Sequence, residues 1–286
     1  MKTVLLGMAL CLASTLVLAD TLRHPRAEAT GDVRNAYFRA VLELALDKTL
    51  DLGNWQLAEA AEPMQQSRAL QLLSEGQELD IVWSMTSSAR EAQNRPIRIP
   101  LLKGLMGYRL LLIRSEDQSW FHNVQTLDQL RELRAGQGHD WPDTEILRAN
   151  GLSVETSADY DSLFLMLQRG RFDYMPRAIN EPWAEIAARP TLGLTVEENL
   201  MLYYPTAVYF FVQRDNTALE KRLELGLRRA IADGSFDTLF RQHPINAHAF
   251  GKAGILKRRV IRLRNPLLPA ATPLDDDRLW WPPPAR

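Results

Sequence analysis

Three short stretches of this chain gather the residue types that hold small anions. Arg90 closely follows Thr86, Ser87 and Ser88. A guanidinium beside hydroxyls offers a carboxylate a bidentate partner with extra donors. Trp83, just upstream, could stack on a ligand, although a tryptophan in an apolar run equally suits a core. The second stretch is Gly138-His139-Asp140-Trp141-Pro142, where a helix is expected to begin. N–H groups at a helix start favour an anion. Capping by Asp140 with Asp143 is the plainer reading of the two acids. Arg177, Asn180 and Glu181 form the third stretch. Glu181 and Glu185 lie four apart on one expected helical face. That spacing suits an acid–base pair or, more simply, a solvated face. Glu28, in an early loop, completes the candidate set.

Several signatures are missing. The chain has no nucleophile elbow, no His-Glu-x-x-His, no phosphate loop and no dinucleotide glycine fingerprint. Its five histidines are scattered without ligand spacing, and His139 alone is no metal signal. Neither a metal nor a cofactor is expected, and catalysis starts as the weaker reading.

The elements that must position these residues alternate. Residues 21–24 read as a strand and 33–50 as a helix capped by Asp32. A second strand spans 55–60. Pro63 opens a helix through 74, and 79–85 is a strand with no polar face, as a parallel sheet covered on both sides requires. This is a doubly wound α/β pattern. The run 99–114 is too short to span a membrane and is broken by Pro100, Gly104 and Gly107; from 108 to 113 it reads as a buried strand. The run 201–214, interrupted by Pro205, has the same character. Between the two runs lies a second α/β region. Its helices are expected over 126–134, 142–150, 159–169 and 180–188, and its strands at 152–155 and at 172–175, the latter ended by Pro176. Two apolar runs bracketing one domain point to two crossings between lobes, hence a hinge and a cleft. Helices over 217–232 and 235–242 then return to the first lobe. Residues 257–264 alternate as a basic strand. The segment from 265 onward carries six of the sixteen prolines and Trp280-Trp281, and reads as an extended tail on the surface.

Composition is that of an ordinary globular chain, with 46% hydrophobic and 24% charged residues. The formal net charge of −1 gives no electrostatic signal for nucleic acid. Residues 1–19 read as a secretory signal: Lys2, an apolar stretch from 4 to 18, and Val17-Leu18-Ala19 before the expected cut at Asp20. Cys11 is the only cysteine and would leave with that signal, so no disulfide or thiolate site is expected in a periplasmic protein.

Taken together, the stretches 95–109, 140–151 and 170–177 resemble a divergent subgroup of the family 3 extracellular solute-binding proteins, the amino-acid-binding type of periplasmic receptor. The resemblance covers about 21–242. It implies a two-lobed, type II periplasmic-binding-protein-like α/β fold, with two doubly wound lobes joined by two hinge strands. The implied division is 1–19 signal, 20–107 first part of lobe 1, 108–208 lobe 2 with the hinge strands, 209–250 return to lobe 1, and 251–286 an extended basic and Pro-rich tail. It also implies that Arg90 clamps a ligand carboxylate, with Ser87 or Thr86 assisting. In the second lobe the chain departs from the family pattern. His139-Asp140-Trp141-Pro142 replaces a Gly-Thr turn, and Arg177 or Asn180 stands where an amine-binding aspartate is expected. Arg90 facing Arg177 would suit a dicarboxylate. The implied role is capture of a small ligand, an amino acid or another carboxylate, by a monomer serving an ABC permease or a membrane sensor. The alternative is a dehydratase-like periplasmic enzyme with Glu181 or Asp140 as general acid. A module that no longer binds solute is the third reading.

Overall fold

A computed structural model describes residues 20–27 and 34–281. The expected signal 1–19, Glu28 and the Asp32 cap lie outside the described residues. The first lobe opens with β1 (Asp20–Arg26), α1 (Arg34–Asp47), β2 (Trp55–Pro63), α2 (Gln66–Ser74), β3 (Ile81–Met85), α3 (Ser88–Gln93) and β4 (Arg95–Ile97). Strands β1 and β2 pair in parallel. Arg23 and Asp80 exchange backbone and side-chain bonds that tie β1 to the entry of β3. All five residues of β3 are buried, as a strand covered on both faces requires. Pro63 ends β2 instead of opening α2, because it sits in register with Arg26 of β1 and is held extended there.

The second lobe contains β5 (Tyr108–Arg114), α4 (Gln118–Phe121), α5 (Leu127–Arg131), β6 (Arg134–Gly138), α6 (Pro142–Ala149), β7 (Ser153–Ser157), α7 (Tyr160–Gln168), β8 (Met175–Ala178), α8 (Pro182–Ala187), β9 (Leu194–Val196) and β10 (Leu200–Tyr203). Strand β5 is its spine, antiparallel to β10, β8 and β9. Helix α5 starts at a reciprocal cap between Thr126 and Gln129, and it stops short because Arg134 already belongs to β6. Pro176 lies inside β8 and does not end a strand. Strand β8 pairs with β5 along one edge, while β6 meets it through the isolated bridge Ala135–Tyr174, so a missing N–H is tolerated.

The run 201–214 divides at Pro205 between two sheets. Strand β10 stays with β5, whereas β11 (Val208–Val212) lies between β3 and β4, antiparallel to both. The two crossings run side by side. Tyr108 pairs with Tyr203, and a Cβ on Gly107 would come within 2.3 Å of the Tyr204 carbonyl, so that position must be glycine. Helices α9 (Thr217–Ala232) and α10 (Ser235–Gln242) follow, and the Leu219, Leu223, Leu227, Ala230 face of α9 packs on the first lobe, where α1 is its neighbour.

The basic strand expected over 257–264 forms, whereas the segment from 265 onward departs from the expectation of an extended surface tail. Strand β12 (Arg259–Arg262) joins the second lobe's sheet in parallel with β10. Ile261 and Leu263 are buried in that lobe's core, while Leu279 and Trp280 are buried in the first lobe's. Ile261 in β12 and Leu263 just beyond it lie two apart, so they bury on one face while their neighbours stay exposed. Among the described residues no helix is long and apolar enough to cross a membrane.

Candidate functional site

The cleft between the lobes is lined by residues of both. Its inner part is a cavity of about 110 Å³, walled by Arg34, Gln66 and Trp83 of the first lobe and Arg109, Trp141 and Arg177 of the second. A buried water needs roughly 10–15 Å³ on such a measure, so the cavity has room for several waters or a small group of that size. An outer groove lies between α3 and α6, walled by Ser87, Arg90, His139, Asp140, Arg148 and Leu267. Trp141 and Pro142 border both spaces.

On the first lobe, β3 runs straight into the cleft. Ser87 caps α3 by accepting the Arg90 N–H at 3.2 Å, which turns that helix and places Arg90 beside the strand end. The Arg90 guanidinium donates to Ser84 Oγ, to the Met85 carbonyl at 3.0 Å, to Gln66 Oε1 at 3.3 Å and, across the cleft, to the Asp140 carbonyl at 3.1 Å. All four acceptors are neutral. Burial lowers the Arg90 pKa to about 10, only partly offset by Asp140 and Asp143. At neutral pH it therefore remains a cation, in surroundings that solvate it poorly. Thr86 turns away: its hydroxyl donates to Glu91 at 2.7 Å. Trp83 is buried between His24 and Phe38 and gives its indole N–H to Asn35 at 3.0 Å, so it is both core and cavity wall.

The second lobe treats its arginines differently. Arg177 is fully buried on β8. It is paired with Glu185 at 2.7 Å and Glu181 at 3.1 Å, and lies over the Trp141 ring at 4.7 Å. Desolvation pulls its pKa down, but the two glutamates outweigh it and hold the group well above its ordinary value. Arg109, at the hinge end of β5, has Asp143 at 2.5 Å and Glu181 at 3.9 Å. Its Nε and Nη2 atoms make no well-directed hydrogen bond, because Asp143 lies off the Nη2–H direction. Asp143 also accepts from Tyr204, whose burial keeps it protonated as a donor. Glu185 accepts from Tyr160 at 2.6 Å. In this floor of the second lobe three carboxylates face these two guanidiniums, while Arg26 and Arg34 of the first lobe line the same cavity.

Several expectations need correcting. Glu181 and Glu185 are buried, not a solvated face, because Arg177 folds back onto both. Asp143 does not cap α6 but serves Arg109 and Tyr204. Asp140 caps the other lobe's helix, accepting the Ser67 N–H at 2.9 Å near the start of α2. Arg177 lines the inner cavity and Arg90 the outer groove, and Trp141 borders both. Asn180 is buried outside both spaces, bonded to Asn246 at 2.9 Å. His139 is exposed on the groove wall. Sequence reasoning missed Arg109, Tyr160 and Arg34, and gave Asp143 only a capping role. Only Arg109, a charge opening an otherwise apolar strand, gave a visible signal.

The lobes are held together by their own groups. Besides the Arg90–Asp140 and Ser67–Asp140 bonds, Gln65 donates to the Ala158 carbonyl at 2.6 Å, and Arg34 lies over the Tyr160 ring at 4.3 Å.

No protein-family model matches the chain, and no curated protein matches it in sequence. Solved structures do. An ancestral arginine-binding protein bound to glutamine superposes with a TM-score of 0.60 at 18% identity, covering 78% of this chain and 97% of that one. A periplasmic binding protein of Salmonella typhimurium with high arginine specificity gives 0.59 at 14%, covering 77% and 97%. An ancestral amino-acid-binding protein that is a precursor of cyclohexadienyl dehydratase gives 0.56 at 14%, covering 77% and 93%. These likenesses establish the two-lobed periplasmic-binding-protein fold.

Proposed function

We propose that this protein is a periplasmic solute-binding protein that closes its lobes on a small, carboxylate-bearing ligand, for delivery to an ABC permease or a membrane sensor. One observation carries the reading. Arg90 is a desolvated cation at the cleft whose hydrogen bonds to described residues all end on neutral acceptors. A half-buried cation whose desolvation Asp140 and Asp143 offset only in part is costly, and a ligand carboxylate would complete its counter-charge. The solved neighbours that bind amino acids support the same reading.

The floor revises the ligand's other end. Arg177 is already neutralised, so it does not offer a second carboxylate site. Closure would follow from contacts that exist only when both lobes reach the ligand. The enzymatic alternative finds less support. The Glu181 Oε2 already accepts from Arg177 and from the Ala178 N–H, and Asp140 is taken by Ser67. Calorimetric titration with amino acids and small carboxylic acids tests the proposal. Stoichiometric binding without turnover is expected, and conversion of a bound compound would favour the enzyme.

A further inference from the structure

Two crossings suffice to hinge two lobes, and the described residues make four. After α10, Ala249 and Ala253 belong to the first lobe's core. Strand β12 then passes into the second lobe, and Ile261 and Leu263 sink into its core. Asn150 of that lobe grips the exit on both sides: its Nδ2 donates to the Arg264 carbonyl at 2.7 Å, and its Oδ1 accepts the Arg264 N–H at 3.0 Å. Asn265 Nδ2 next donates to the Pro205 carbonyl, at 2.9 Å, on the hinge itself. Leu267 then packs against the second lobe's core while its carbonyl accepts the Ser88 N–H of the first lobe at 3.0 Å. The far end is anchored firmly. The Trp280 ring occupies the space over Gly104, where a Cβ would stand 2.6 Å from it, and the Trp281 N–H donates to the Lys103 carbonyl at 2.7 Å. Pro266, Pro269 and Pro273 fix backbone angles along the way, so the segment has little slack.

We propose that residues 264–273 are an interlobe strap that holds the cleft nearly closed before any ligand arrives. Its contact with Ser88 falls on α3, the helix that carries Arg90, and Pro266 and Leu267 wall the groove which Arg90 lines. Opening at the paired crossings near Gly107 and Tyr204 must break the Ser88–Leu267 bond or stretch a proline-stiffened chain fixed in both cores. The strap therefore sets how far α3 and α6 separate at rest. This inference rests on the two-lobed fold and needs no ligand, so it can fail while the solute-binding reading survives, and the reverse.

The test severs the strap after folding. A protease site is inserted between Ala270 and Ala271, both exposed. Solution scattering of the full chain without ligand is compared before and after cutting. The uncut protein should have a radius of gyration near the compact value of about 19 Å for a chain of this length, and cutting should raise it by about 1 Å. A second variant, Asn150→Ala with Asn265→Ala, removes the side-chain grips and leaves both cores intact; it should expand in the same direction by a smaller amount. Identical scattering curves for intact, cut and doubly substituted protein would overturn the proposal. Unfolding on cutting, with the double variant unexpanded, would overturn it too, because the tail would then be core and not strap.

Discussion

Arg90 and Arg177 each follow or end a buried strand, and each reaches a cleft residue of the 140–141 segment. Their surroundings are opposite. Arg177 is enclosed by Glu181, Glu185 and the Trp141 face, and its charge is held above its ordinary pKa. Arg90 has hydroxyl, amide and carbonyl partners, and burial pulls it down to about 10. The first arrangement is finished without a ligand and the second is not. A cation complete in its own lobe supports the fold, whereas one left short of a counter-charge is a place for a ligand.

The largest expected effect breaks the finished site. Arg177→Met should strand two buried carboxylates and cost about 3–5 kcal/mol, as breaking a buried pair typically does. At roughly 2–4 °C per kcal/mol for a protein of this size, the melting temperature should fall by about 10 °C. An unmoved melting curve would put Arg177 in the same class as Arg90. Adding Glu181→Gln and Glu185→Gln sharpens the point: with the stranded charges gone, much of the lost stability should return.

Arg90→Ala should do the reverse. It removes a cation with no carboxylate partner, so stability without ligand should change little or rise slightly. Ligand affinity should fall by about 30-fold or more, the equivalent of roughly 2 kcal/mol or above. A stability loss as large as that of Arg177→Met would erase the distinction between the two sites.

Asp140→Ala comes next. It deletes the side-chain acceptor for the Ser67 N–H but leaves the carbonyl that Arg90 uses. A partly exposed neutral–charged bond contributes about 1 kcal/mol. The expected result is a slightly larger radius of gyration with near-normal melting.

His243 gives the smallest effect. Like Arg90 it is lowered by desolvation, here from 6.5. The unfolded chain therefore takes up the proton first, and stability should decline as pH falls through 6.5 toward the folded value. Melting curves between pH 7 and 5 should show a shallow decline that His243→Gln flattens.

What was legible in the sequence was periodic or contiguous. The apolar β3, the break at Pro205, and α9 with α10 follow from patterns within a few residues, and the hinge follows from those breaks. Arg90 was legible as a candidate because its hydroxyl neighbours adjoin it. The floor was not, because Arg109, Asp143 and Tyr204 come from three distant segments that meet only in the fold. Glu181 and Glu185 had the spacing of a solvated face, and only the turn of the chain after β8 brings them onto Arg177. The tail was misplaced for a related reason. The alternation over 257–264 was legible as a basic strand, but not the sheet edge it joins, nor the burial of Leu279 and Trp280 after a proline-rich stretch.

The most direct test of the central claim is a paired thermal-shift measurement. The wild type and Arg90→Ala are each melted with a panel of amino acids and small mono- and dicarboxylic acids, and with their amides as controls that lack the carboxylate. A ligand at 100 times its Kd contributes about 2.7 kcal/mol, or several degrees for a protein of this size. At least one carboxylate, and not its amide, should shift the wild type by several degrees and leave Arg90→Ala unmoved. Equal shifts in both proteins, or stabilisation by the amide as strong as by the acid, would contradict it.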